Sequence, residues 1–331
     1  MMNNYNSDLI SWDDIVDNAK VFHLSLSDIE ELKDFFHSLD QTYFTKMAKL
    51  VTTKFPKDEV INRYQNKDLY RFLFLVAIAN GYEMEAIYKK NNWPQKMFDE
   101  ISKDFTLWID IMKRDLGCLG VNPRLFDWLK GCADGSIKQF GRLQANDIHN
   151  FACKEAFYRD SNGNLSRHSI DEEITDKEKV LSFKDQTINL HIPGSGPLNY
   201  NDCIKSIKEM VEFVEKYNPT YDYKAIVCYS WLLDEQFKYI LKQDSNILKF
   251  QQLGHVFPLP YIHQTNEVVW RVFGKCYNDK NYATLPRNNS MQKAVAQFLE
   301  NGGEFNEGLL IILKDELPAL FEQIKSRKEI I

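Results

Sequence analysis

The feature that most constrains this chain is a change of hydrophobic period near Ser136. Upstream, apolar residues recur at helical spacing; downstream they fall into strand-length runs bounded by turn residues. "SLSDIEELKDFFHSL" offers Ser25 or Ser27 as a cap and repeats Ile29, Leu32, Phe36 and Leu39 on one face. "KDLYRFLFLVAIANGY" is apolar on most faces from Leu69 to Ile78, which predicts a central buried helix ending at Gly81. "PQKMFDEISKDFTLWIDIMKRDLG" has Pro94 in a first-turn position and basic residues before Gly117, and "NPRLFDWLKGCADG" adds a short helix. Residues 1–133 therefore read as an all-helical N-terminal domain.

Residues 134–331 read differently. "SIKQFGRLQ", "NFACKEAFYRD", "KVLSF" and "TINLHI" are strand candidates, and Asn162-Gly163 between them predicts a hairpin that starts the sheet antiparallel. A helix follows at "NYNDCIKSIKEMVEFVEKY", with Cys203, Ile207, Met210, Val211 and Val214 on one stripe. Then come a strand, "YKAIVCYSW", a helical stretch, "LDEQFKYILKQDSNILKFQQLG", and strand candidates in "HVFPLPYI" and "EVVWRVFGKCY". The helix "NSMQKAVAQFLENGG" and the apolar "EGLLIILK" close the chain. The fold class expected is α+β: a helical domain, then a mixed β-sheet domain with flanking helices and one parallel crossover.

Composition excludes several function classes. Lys plus Arg number 41 against 47 Asp plus Glu, a formal charge of -6, which argues against a phosphate-backbone binder of nucleic acid. "MMNNYNSDLISWDDIVDN" lacks the basic and apolar regions of a signal peptide, and "LYRFLFLVAIANGY" is too short to span a bilayer. The expectation is a cytoplasmic protein without a membrane partner. The six cysteines (Cys118, Cys132, Cys153, Cys203, Cys228, Cys276) form no C-x-x-C pair, as in a chain whose thiols stay reduced. His149 and Cys153 have the nearest thing to metal-ligand spacing but lack two further partners, so no metal is expected.

The crossover carries the chemistry. In "TINLHIPGSGPLNYND" a strand ends at a proline, passes two glycines and enters a helix. Such a junction turns unpaired backbone amides and the positive end of a helix dipole toward one place, which favours an anion. Gly194 and Gly196 have no side chain to block a phosphate, Pro197 suits a first turn, and Asn199 or Asn201 can cap. Strand alternation puts Ile188, Leu190 and Ile192 on one face and Asn189 and His191 on the other.

The spacing of "HIPGSG" resembles the Q/R-x-x-G-x-G/A loop of the GNAT superfamily of acyl-CoA-dependent N-acyltransferases, with His191 in the first position in place of Gln or Arg. With "FGRLQ", "INLHIPGSGPL", "CYSWLLD" and "DSNILKF" in order, the chain resembles a bacterial family of acyltransferases with a helical N-terminal domain and a GNAT-like C-terminal domain. That resemblance implies acyl-CoA, such as acetyl-CoA, as co-substrate and an amine on a small molecule or peptide as acceptor. It implies a pyrophosphate site on Gly194, Ser195, Gly196 and Pro197, flanked by Pro193 and Leu198, with an oxyanion amide between Leu190 and Ile192. Ser230 and Asn246 complete the implied cofactor surface. His191, Tyr229 and Asn189 are the catalytic candidates. Tyr229 is the implied acid, whereas His191 could orient the acyl group, act as a base, or hydrogen-bond a neighbouring strand. Cys228 or Ser230 could line an acyl pocket. Trp231 and Asp234 read either as a functional wall or as a core residue and a helix cap. A non-catalytic GNAT-like module that binds CoA or another ligand is the alternative function.

Overall fold

The computed structural model describes residues 9–274 and 281–326; Cys276 and the first eight residues lie outside them. The chain divides into two compact units, residues 1–139 and 140–331. The first is helical from Trp12–Val21 through Pro123–Ala133. Its starts are local chemistry: Ser11 with Asp14, and Ser25 with Asp28, form capping boxes that satisfy first-turn amides. The "SLSDIEELKDFFHSL" pattern is a broken helix, Leu26–Ile29 and Lys33–Ser38 around a tighter 3₁₀ turn, yet Ile29, Leu32 and Phe36 are buried as the spacing predicts. The central helix, Asn66–Ile78, buries Phe72 through Ile78 and ends three residues before Gly81, which opens the next helix instead. A Cβ at Gly81 would stand 2.6 Å from the Asn18 carbonyl oxygen, so glycine there permits a close helix approach. The stretch after Pro94 is two helices, Gln95–Ile101 and Lys103–Leu116, the second closed by Gly117 in the left-handed conformation.

Nine strands in two sheets follow among the described residues. β1 (Lys138–Phe140), which crosses the division, and β2 (Leu143–Asn150) flank a turn at Gly141, so "SIKQFGRLQ" is two strands. β3 (Glu155–Arg159), β4 (Leu165–Ser169) and β5 (Glu178–Ser182) follow, then β6 (Gln186–His191), β7 (Ala225–Ser230), β8 (His255–His263) and β9 (Asn306–Leu313). The main sheet runs β1-β2-β6-β7-β9-β8. β6 and β7 pair in parallel across the helix Tyr200–Tyr217, while β2–β6, β7–β9 and β8–β9 are antiparallel. Asn162-Gly163 does close a β3–β4 hairpin, but it belongs to a separate sheet, β4-β3-β5.

Two further expectations are corrected. "EVVWRVF" is the helix Thr265–Phe273, because Val268, Val269 and Val272 pack together into a cluster with Phe237, Val295 and Phe305; tertiary burial overrides the β-propensity of its valines. "LDEQFKYILKQDSNILKFQQLG" yields only short helices, Phe237–Ile240 and Asn246–Gln251. Among the described residues no helix is long and apolar enough to cross a membrane.

The main sheet is buried differently on its two faces. Ile188, Leu190, Ile226 and Cys228 are buried on the side of the Tyr200–Tyr217 helix, whose Cys203 lies beside Cys228. On the opposite face Ala225, Val227, Leu309, Ile311 and Leu313 join Phe151, Phe157 and Leu181 of the second sheet in one apolar cluster. These alternations are the period-2 pattern of the strands made physical.

Candidate functional site

The parallel pairing of β6 with β7 runs from Thr187–Ala225 to Leu190–Cys228 and stops there. Beyond that point β6 still pairs outward with β2, through His191–Gln144, and β7 with β9, through Ser230–Gly308. The two central strands therefore part at their C-terminal ends while each stays anchored on its outer side. Such a parting leaves backbone hydrogen-bonding groups facing a gap, and a ligand chain with amides of its own can satisfy them.

At the mouth of the gap lies the loop from Ile192 to Asn199. Gly194, Ser195, Gly196 and Pro197 are exposed, while Pro193 and Leu198 are buried and pin its two ends. The amides of Gly194, Ser195 and Gly196 donate to no group among the described residues. No described atom outside the neighbouring residues lies within 4 Å of a Cβ built on Gly194 or Gly196, and Gly196 has φ +91. At Gly196 the backbone conformation requires glycine. At Gly194 nothing in the protein does, so the open space above it is available to a ligand.

The shape of this loop is set by Arg142, a residue the sequence reading did not single out. Its Nε donates to the Pro197 carbonyl at 2.8 Å, Nη1 to Pro193 at 3.0 Å and Nη2 to Gly196 at 2.9 Å. One guanidinium thus collects three loop carbonyls. Arg142 is itself placed by the Gly141 turn (φ +57) and by its own amide, which donates to Ser206 Oγ at 2.9 Å. Ser206 in turn donates to the Asp202 carbonyl in the first turn of the long helix. Burial lowers the Arg142 pKa from its ordinary value, but the group stays cationic at neutral pH.

Asn199 stands at the N-cap of the Tyr200–Tyr217 helix without capping it: its side chain accepts no bond from the first turn. It bonds instead to Asp202, at 3.3 Å, and to Asn246, at 3.5 Å. The helix terminus beside the loop is left without a side-chain cap, and Asn246 is brought to the loop by the helix Asn246–Gln251, which Ser245 caps. Asp202, the acid of that first turn, has its carboxyl held below the usual range, chiefly by Lys205 at 3.1 Å.

The three catalytic candidates share one face of the sheet. Asn189 opposes Val227, and Tyr229 lies two residues further along β7, so Asn189, His191 and Tyr229 project to the side opposite the long helix. His191 Nε2 lies 2.7 Å from Asn146 Oδ1 on β2. Burial, with His149 as a second cause, lowers the His191 pKa to about 4. The ring is neutral at pH 7, and a ring that donates Nε2–H to Asn146 carries its lone pair on Nδ1. Tyr229 Oη is buried close to the backbone of Ala152 and Cys153 but makes no hydrogen bond of normal geometry with them. Burial raises its pKa far enough that the phenol stays protonated.

The other candidates make contacts within the protein. Cys228 faces the long helix, buried, with its thiol pushed up by burial, and Ser230 Oγ accepts from Leu232 N at 3.2 Å. Asp234 is buried and accepts from the amides of Gln236 and Asn306, tying the end of β7 to β9, while Trp231 packs on Phe237. His149 Nδ1 bonds Thr187 Oγ1 at 2.9 Å, and Cys153 Sγ bonds Glu155 at 3.2 Å.

His191 also makes a prediction about acid. A neutral histidine whose folded pKa lies near 4 must be forced to charge in the fold, while the unfolded chain protonates near 6.5. Folding stability should therefore fall as pH drops below about 6.5 and keep falling to about 4, by about 3 kcal/mol from this residue. Thermal melts of wild type and His191→Gln at pH 7.5 and 4.5 check it. The variant should lose distinctly less stability on acidification.

Residues 137–309 match the family described as GNAT-like C-terminal domain, and the chain belongs to that family. No curated protein matches the sequence. Among solved structures, an acyltransferase in complex with decanoyl-CoA aligns at TM-score 0.68 and 19% identity, over 94% of this chain and 90% of that one. An acyltransferase variant with octanoyl-CoA aligns at TM-score 0.66 and 17% identity, over 93% and 90% of the two chains. A complex with decanoyl-CoA and teicoplanin aligns at 0.65 and 17%, with the same coverage. The likeness extends over both units and shows a shared fold.

Proposed function

We propose that the protein is an acyl-CoA-dependent N-acyltransferase. The observation that carries this reading is the parting of β6 and β7 beside a loop whose amides at 194–196 donate to no described group and whose carbonyls are held by Arg142. In this reading the amides of Gly194, Ser195 and Gly196 and the uncapped helix terminus receive the CoA pyrophosphate. Pro197 carries no N–H, so it supplies shape only. The pantetheine arm lies between the parted strands, and the acyl carbonyl takes a backbone amide between Leu190 and Ile192 as its oxyanion donor. The similar structures with decanoyl-CoA and octanoyl-CoA favour a medium-chain acyl group, and the one that also holds teicoplanin favours a small-molecule acceptor.

The chemistry follows from the face that holds Asn189, His191 and Tyr229. A neutral amine attacks the thioester carbonyl; a C–N bond forms, the C–S bond breaks, and one proton passes from amine to thiolate. Tyr229, kept protonated by burial, donates its hydrogen bond to the sulfur as charge builds there. His191 is too weak a base to strip an ammonium ion by itself, so it serves as a neutral partner that orients the amine, which must arrive deprotonated. Free-thiol release from decanoyl-CoA with a panel of amines tests the reading. Thiol release that depends on the amine supports transfer, and tight CoA binding with no release across the panel replaces it with a ligand-binding module.

A further inference from the structure

Four of the six buried side-chain N and O atoms that lack a hydrogen-bond partner among the described residues of the second unit stand on one face of three adjacent strands. They are Gln144 Nε2 and Oε1, Asn189 Oδ1 and Tyr229 Oη. Gln144 on β2 opposes His191 on β6, and Asn146 opposes Asn189, so these side chains share the face that also carries Tyr229. The three strands span about 10 Å, the length of a small molecule rather than of a single water. Gln144 is fully buried, so no bulk water reaches its carboxamide.

An unpartnered buried polar atom destabilises the protein that holds it, and four together call for an occupant. The kinds of atom define that occupant. The Tyr229 Oη–H is committed to the thioester sulfur, which leaves Gln144 Nε2 to donate and Gln144 Oε1 and Asn189 Oδ1 to accept, so both senses of hydrogen bond are needed from the acceptor. The positions of β2, β6 and β7 that share this face are Gln144, Asn146, His149, Thr187, Asn189, His191, Ala225, Val227 and Tyr229; none is Asp, Glu, Lys or Arg. A carboxylate or a permanent cation would find no counter-charge on these three strands. We propose that Gln144 and Asn189, beside Tyr229, form an uncharged subsite that takes an amide group of the acceptor and so selects amines that carry one nearby. The proposal rests on the acyl-transfer reading above, and it adds a specificity determinant, Gln144, in a strand position that reads as ordinary.

Gln144→Met keeps the length of the side chain and removes both polar atoms. The free variant should melt roughly 2–4 °C higher than wild type, because an orphaned carboxamide has gone. With decanoyl-CoA, wild type should use N-acetylethylenediamine at least about tenfold better in kcat/KM than pentylamine, an amine of matched length without the amide. In Gln144→Met that ratio should fall toward one, with the calorimetric CoA affinity as the control. A lower melting temperature in the variant, a ratio that survives the substitution, or a wild type indifferent to the amide overturns the subsite, as does CoA binding with turnover of neither amine. Failure of wild type to bind CoA sinks the acyl-transfer reading instead, and the melting comparison still decides whether Gln144 is held for a ligand.

Discussion

Arg142→Ala should bind CoA about a hundredfold more weakly than wild type. The guanidinium holds the Pro193, Gly196 and Pro197 carbonyls at 2.8–3.0 Å, and the amides of Gly194, Ser195 and Gly196 in the same loop donate to no described group. Without that clamp the loop must be ordered on binding, at about 1–2 kcal/mol for each backbone residue fixed. Two residues' worth, near 3 kcal/mol, corresponds to about a hundredfold in affinity. Arg142→Lys separates the clamp from simple attraction of phosphate. Lysine keeps the charge but not the planar fork, and a single ammonium cannot span three carbonyls in this geometry. Isothermal titration should place Lys close to Ala, and added guanidinium ion should restore part of the affinity of Arg142→Ala. A lysine variant with wild-type affinity would mean that Arg142 acts on the ligand as a charge and does not act through the loop.

Tyr229→Phe should lower kcat by about a hundredfold and leave CoA affinity unchanged, the size expected when a positioned proton donor is lost. Its stability signature is the reverse of the usual one. The hydroxyl is buried without a well-formed bond, so its removal should leave the melting temperature equal or higher. A phenol retained for packing alone would show unchanged kcat, and one with a structural hydrogen bond would show a lower melting temperature.

How much of this was legible in the sequence depends on how far apart the cooperating residues lie. The two-period organisation, the strand–loop–helix junction and the alternation that separates Ile188 and Leu190 from Asn189 and His191 are local, and they were readable from spacing. The stripe on the Tyr200–Tyr217 helix is likewise buried as its period requires. Arg142 was not readable as a clamp, although "FGRLQ" contains it, because its partners lie more than fifty residues along the chain. His191 meets Asn146 across β2–β6, and only the register of that pairing could have shown it. Gln144 looks like any polar residue on a strand until its face and burial are known. The helix Thr265–Phe273 is not legible in its residues, because valine and tryptophan favour strands, whereas burial of Val268 and Val269 beside Phe305 decides the outcome.

The central claim is that the Gly194–Gly196 loop is built to hold the pyrophosphate of CoA, and titration of CoA into wild type and Gly194→Val tests it most directly. Nothing described in the protein stands within 4 Å of the added Cβ, so the variant should fold with an unchanged melting temperature. The account predicts that wild type binds CoA and that Gly194→Val binds it at least about tenfold more weakly, a loss of ~1.4 kcal/mol or more. A variant that melts like wild type and binds CoA with wild-type affinity would contradict it.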